Sequence, residues 1–226
     1  MITQFKDFSF NHPVQDQKVI DRVIEEYLGT FERKMMVFEN YWNSEFFSEF
    51  RNQSVKPYLE NIGNLIGESV TVGHRYIDSQ ESLSYYLRDP GVIWETPESW
   101  GTSVWYFGFH GKKNGIEFPH QLITKDDLLD ICSRNFNDFP NILYFSSCSL
   151  FNDKDFGYEL LEKSGSRGIL GFKKVVGYGL GTIIDLLFLF TFFNYDGDPF
   201  KDIEVIYNSV ITEFPYSKEV GFTLFH

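Results

Sequence analysis

The sequence predicts an α/β fold, a parallel sheet with helices on both faces, and three observations carry that expectation. Strand-like and helix-like segments alternate along the chain, the order that builds βαβ units. The strand-like runs, such as VWYFGF from Val104 and NILYF from Asn141, are short, continuous and rich in aromatic and β-branched residues, as strands buried on both faces are. The 226 residues, 42% hydrophobic and 19% aromatic with 25 Phe and 13 Tyr, suffice for one large aromatic core and exclude a disordered chain.

The elements follow in order. Gln15 to Phe31 carries Ile20, Val23, Ile24, Tyr27 and Leu28 as a helical stripe with charges opposite. MMVFENYW, from Met35, reads as a first strand. Ser54 to Ile66 spaces Leu59, Ile62 and Ile66 as a helix, with Ser54 as its cap. SVTVGHRYI, from Ser69, is a second strand. Ser79 caps a short helix through Leu87; Ser82 stands where a capping box would have Glu or Gln, so no full box is expected. Pro90 to Gly101 is a loop. The strand ending at His110 comes next, then a polar loop, and Thr124 opens a helix through Cys132 with an acidic first turn. After the strand leading to Cys148, Asp153 to Ser164 is helical and GILGF is a fifth strand. Asp185 to Phe193 and Lys201 to Thr212 are helical, and VGFTLF closes the chain as a strand.

Val175 to Phe193 has nearly the length of a membrane span and a single charge. Gly177, Gly179 and Gly181 weaken a helix there, and Asp185 would fall at mid-bilayer. A glycine-rich loop followed by a buried helix is the expectation, and no membrane association. Residues 1–34 read as a helical extension packed on the core, because one helix cannot bury its own stripe; residues 35–226 form the domain proper.

Net charge is −12, and no basic cluster exceeds Lys112-Lys113 or Lys173-Lys174, which opposes nucleic-acid binding. Cys132 and Cys148 are the two cysteines, without the paired spacing of a disulfide framework or zinc site. No metal and no cofactor are expected, and a reducing cytoplasm is. MITQFKDFSF has no signal-peptide pattern.

Two strand-like runs end on reactive residues, one on His110-Gly111 and the other on Cys148. If the strands are neighbours and parallel, imidazole and thiol meet at the carboxyl edge, where open α/β sheets place their chemistry. A Cys/His hydrolase needs that pair: the thiolate attacks, and the imidazole generates it and protonates the leaving group. A lone cysteine is as often inert core. Cys148, however, is flanked by Ser146, Ser147 and Ser149, a small polar crown that leaves room for substrate. Cys132, among Leu128, Leu129 and Ile131, reads as core. Gly111 lets the backbone approach a ligand, so its N–H and that of Cys148 could form an oxyanion hole. His74 is the one rival histidine and reads as structural; His12, His120 and His226 lie in weaker settings.

A strand ending in His-Gly, a helix, then a strand ending in Ser-Ser-Cys resembles the caspase-like (clan CD) cysteine peptidases, which include caspases, metacaspases, gingipains, separases and bacterial CHAT peptidases. The stretches FENYW, SVKPYLE, GHRYIDSQESLSYYL, FHG, LYFSSCS and GFKK are similar to uncharacterised bacterial caspase-like proteins, over roughly Met35 to Phe225. The resemblance implies a three-layer sandwich around a six-stranded, mostly parallel sheet with its last strand reversed. It carries the catalytic dyad onto His110 and Cys148. Ser146-Ser147 stands where caspases have Gln-Ala and metacaspases Asp-Ser. The family's specificity pocket maps to Glu39, to Ser146 and to Lys173–Tyr178. Glu39 favours a basic side chain before the scissile bond and the lysines oppose it, with the balance toward basic. Asp185 is either a pocket acid or a carboxylate at a helix N-terminus, the second being preferred.

The function expected is therefore a cysteine endopeptidase acting through a thioester, with a protein or peptide substrate and an activating partner protein as a further candidate. A bacterial defence or regulated-death effector is the role that fold-level analogy suggests. The alternative is a catalytically inactive caspase-like scaffold that binds a partner. A doubly wound phosphate-binding domain is disfavoured because FENYWNSEFF replaces a glycine-rich fingerprint, and a serine hydrolase because no GxSxG occurs.

Overall fold

The computed structural model of the protein describes residues 33–40, 54–66, 70–88, 103–118, 120–135 and 142–226. The chain divides into two compact units, Met1–Phe31 and Glu32–His226, and all described elements belong to the second. The sequence-predicted N-terminal helix, residues 1–32 of the 1–34 extension, and the Pro90–Gly101 loop lie outside the described residues.

In chain order the elements are β1 (Arg33–Glu39), α1 (Lys56–Glu60), α2 (Ile62–Ile66), β2 (Val70–Tyr76), α3 (Gln80–Arg88), β3 (Ser103–Gly108), β4 (His110–Lys112), β5 (Gly115–Glu117) and β6 (Leu122–Thr124). Then come α4 (Lys125–Asn135), β7 (Ile142–Phe145), α5 (Lys154–Ser164), β8 (Gly168–Phe172), α6 (Tyr178–Phe193), α7 (Ile203–Glu213), α8 (Tyr216–Glu219) and β9 (Phe222–Phe225). The main sheet has six strands in the order β2-β1-β3-β7-β8-β9. All pairings are parallel except β8 with β9. The expected six-stranded α/β sheet with a reversed last strand is present.

Its aromatic content has a structural explanation. Phe38, Phe107 and Phe145 are in register across β1, β3 and β7 and stack, with centroids 5.3 and 4.5 Å apart. On the opposite face Tyr106 stacks on Tyr144 at 5.4 Å. Such pairs contribute about 0.5–1.5 kcal/mol each beyond their buried area. The phenylalanine face packs against Leu83 of α3, Leu128 and Cys132 of α4, and Leu160 of α5. The tyrosine face packs against Leu59 and Ile62 of α1 and α2, Phe188 of α6 and Ile206 of α7. Helices thus cover both faces of the sheet.

The elements depart from expectation in four places. The predicted helix over 54–66 is two short helices, because the Asn61 side chain takes the Pro57 carbonyl (2.6 Å) that the main chain would use. Ser82 completes the capping box it was expected to lack. The Ser79 hydroxyl accepts from the Ser82 N–H, and the Ser82 hydroxyl accepts from the Ser79 N–H, both at 3.1 Å. The predicted polar loop after His110 is a small antiparallel sheet, β4-β5-β6, with Ile116 and Ile123 buried in the core. Finally, α6 starts at Tyr178 with Gly177 as its N-cap, so the glycine-rich stretch is helix rather than loop. Burial of Ile184, Phe188, Leu189 and Phe192 outweighs a glycine penalty of about 1 kcal/mol each at Gly179 and Gly181. Among the described residues no helix is long and apolar enough to cross a membrane.

Candidate active site

The carboxyl ends of β1, β3 and β7 lie level: Glu39 pairs with Gly108, and Phe107 with Phe145. Chain leaving β3 and β7 therefore emerges at one edge. From β3 it passes through buried Phe109 into exposed His110 and then Gly111; from β7 it passes through Ser146 and buried Ser147 into half-buried Cys148. Gly111 lies directly on the second turn. A Cβ there would fall 2.1 Å from the Cys148 carbonyl oxygen, 2.5 Å from its nitrogen and 2.7 Å from the Ser147 carbonyl carbon. No side chain fits against that backbone, so the position requires glycine. Its chain neighbour His110 is exposed one residue before that contact.

The small sheet sets the direction of the Gly111 N–H. Lys112 and Gly115 flank a two-residue hairpin loop and form its ladder-bonded pair; the next pair, Gly111 and Ile116, is then not bonded. The Gly111 N–H consequently points away from β5.

Neither cysteine is in a disulfide. The Cys148 thiol donates to the Val176 carbonyl at 3.3 Å, and the Val176 N–H donates to Sγ at 3.4 Å. Ser149, which follows, has a left-handed backbone with φ of 57°, a conformation that costs a non-glycine residue about 1–2 kcal/mol. Its N–H donates to the Lys174 carbonyl at 3.1 Å, so segment 174–176 helps hold the turn in shape. Cys132 is 2% exposed inside the core, and burial pushes its thiol pKa well up, as its apolar neighbours imply.

Ser146 is half-buried and its hydroxyl donates to Asp185 Oδ2 at 2.7 Å. The same carboxylate accepts from the Tyr106 and Tyr144 hydroxyls, each at 2.6 Å. Burial raises the Asp185 pKa to about 6, against the three hydroxyls that lower it. The preferred reading of Asp185 as a helix N-terminal carboxylate is corrected: it lies in the middle of α6, 2% exposed, and faces the sheet.

Glu39 is 3% exposed. Its carboxylate accepts from Ser54 Oγ, from the Val55 N–H at 3.0 Å and from His74 Nε2 at 2.7 Å. Burial works to raise its pKa, but the bonds from His74, Ser54 and Val55 outweigh it and leave the pKa lowered. A substrate cation would therefore have to compete with these three partners for the Glu39 carboxylate. His74 is the ring partner of that buried acid. Lys174 Nζ turns to the Glu219 carbonyl at 2.8 Å. Lys173 is half-buried, its pKa lowered by burial and then by Lys154.

The structure thus brings together Gly111, Ser146 and Cys148, with His110 adjacent, and sets Glu39 deeper. Sequence reading missed two contributors. Tyr106 and Tyr144 did leave a signal, since a hydroxyl on a strand buried on both faces needs a partner. Val176 falls within the Lys173–Tyr178 segment expected at the pocket, but its contact with Cys148 is made by main chain and left no side-chain signal. Among the described residues no group of three or more His, Cys, Asp or Glu is placed to hold a metal. Compared with models of known protein families and with curated proteins, the chain gives no match.

Proposed function

We propose that this chain is a cysteine endopeptidase of the caspase-like type, with Cys148 as nucleophile and His110 as general acid and base. One observation carries the reading: Gly111 abuts the backbone of Cys148, so His-Gly and Ser-Ser-Cys meet at the carboxyl ends of neighbouring parallel strands. In the reaction, His110 takes the thiol proton and Cys148 Sγ attacks the substrate carbonyl carbon. The N–H groups of Gly111 and Cys148 bind the resulting oxyanion. The C–N bond then breaks, the amine leaves with the proton from His110, and a water deprotonated by His110 hydrolyses the thioester. Ser146 borders the site as a substrate contact. The substrate is a protein or peptide, no cofactor takes part, and a reducing compartment such as the cytoplasm suits the thiol.

The second reading, an inactive caspase-like scaffold that binds a partner, is favoured by the thiol's hydrogen bond to the Val176 carbonyl, which directs its proton away from a base. Labelling with an electrophilic peptide probe separates the two. The peptidase should be labelled at Cys148 and lose the label in Cys148→Ala. A probe that leaves Cys148 untouched, or reacts equally with Cys148→Ala, would support the scaffold.

A further inference from the structure

The Asp185 carboxylate meets the sheet through three O–H contacts, from Tyr106 on β3, Tyr144 on β7 and Ser146 beyond the end of β7. Each contact holds one hydrogen, and the three hydroxyls supply all three when the carboxylate is ionised. A protonated Asp185 brings a fourth hydrogen, so one contact must reverse: the carboxyl donates and that hydroxyl turns its own hydrogen elsewhere. Both tyrosines are fully buried, whereas Ser146 is half-buried and can turn toward solvent. The contact that reverses is therefore that of Ser146, two residues before Cys148, and it passes from a charge-assisted bond to a weaker neutral one. The same stretch of chain grips the turn again through Lys174 and Val176.

We propose that Asp185 is a positioning residue for Cys148: by accepting from the Ser146 hydroxyl, its carboxylate fixes the Ser146–Cys148 backbone and so sets the reactive orientation of the thiol. The titratable groups facing it are Tyr106 and Tyr144 from the sheet, both with pKa raised by burial, and Tyr178 from its own helix. Glu39 acts on Tyr106 and Tyr178, and no charged side chain contributes to the shift of Asp185 itself. With the Asp185 pKa at about 6, the charge-assisted grip holds above that pH and weakens below it. The proposal concerns regulation of the site assigned above and rests on Cys148 being its reactive thiol.

Alkylation of Cys148 by iodoacetamide in the full chain, followed by peptide mass spectrometry from pH 5 to 9, tests it without requiring hydrolysis. Corrected for thiolate fraction, the wild-type rate should fall as pH drops through about 6. Asp185→Asn should be roughly tenfold slower and lack that inflection, the kinetic equivalent of one hydrogen bond to a charged group. Ser146→Ala should match it, Ser146→Thr should restore the rate, and the Asp185→Asn/Ser146→Ala double variant should be no slower than either single one. Tyr144→Phe removes a bond from the same carboxylate away from the Cys148 turn, and should lower stability and move the inflection to higher pH while keeping the wild-type rate on the high-pH plateau. Additive losses, a Tyr144→Phe plateau rate as slow as Ser146→Ala, or an inflection that survives Ser146→Ala would overturn the proposal; should Asp185→Asn not fold, the two Ser146 variants decide it alone. If the coupling appears and no peptide is cleaved, the positioning role stands and the peptidase reading fails.

Discussion

Replacing Gly111 by Ala inserts one methyl group between two backbones. The new carbon would start 2.1 Å from the Cys148 oxygen, whereas ordinary van der Waals contact begins at 3.4 Å. The turn must therefore retreat by about 1.3 Å, the difference between those distances, and because the obstacle is main chain no rotamer change relieves it. Overpacking of this kind costs typically 1–3 kcal/mol, and a shift of about 1 Å between reacting groups lowers rates by roughly a hundredfold. Gly111→Ala should accordingly lower the urea midpoint by an amount worth about 1–3 kcal/mol and slow peptide-probe labelling of Cys148 by about two orders of magnitude. Gly179→Ala, where a Cβ meets nothing within 4 Å, is the control and should gain rather than lose stability. A Gly111→Ala protein with wild-type stability and labelling rate would show that β4 does not rest on the Cys148 turn.

Three further outcomes are expected. Cys132→Ala should cost about 1–2 kcal/mol and keep Cys148 labelling, since it opens a small core cavity far from solvent; thermal unfolding and peptide mapping check both halves. For Asp185 the folded pKa, about 6, lies above the ordinary carboxylate value of 3.8. Its contribution to stability is therefore full below pH 3.8 and lost as pH rises through 6, a change of about 3 kcal/mol. Urea titrations of wild type and Asp185→Asn should show that slope in the first and not the second. Glu39 runs the other way: its lowered pKa adds stability above the ordinary value of 4.5 that fades as pH falls. Glu39→Gln should destabilise the protein; a preference for basic residues lost in the same variant would support its expected place in the substrate pocket, and an unchanged preference would remove it from there.

Where the sequence was legible, the physics is local. Buried runs such as VWYF and ILYF, short and rich in aromatic residues, fit strands of a covered parallel sheet, and their alternation with amphipathic segments points to helices on both faces. The cysteines separate for the same reason, Cys132 having only apolar neighbours and Cys148 serines. What could not be read depends on tertiary partners. The Asp185–Tyr106–Tyr144–Ser146 cluster joins residues as far as 79 positions apart, and the glycine-rich start of α6 is helical only because the sheet packs on it. Glu39 ends a strand as expected, but nothing local announces that Ser54, Val55 and His74 converge on its carboxylate. The β4-β5-β6 sheet escaped notice because strands of three residues carry too little periodicity.

The most direct measurement is the mass of the peptide containing Cys148 after the protein is mixed with a peptide-ester substrate pool and quenched rapidly in acid. An acyl group in thioester linkage on Cys148, absent in Cys148→Ala and strongly reduced in His110→Ala, is the expected result. An acyl group on any other residue, or peptide-bond cleavage that persists in Cys148→Ala, would contradict a dyad built from these two strand ends.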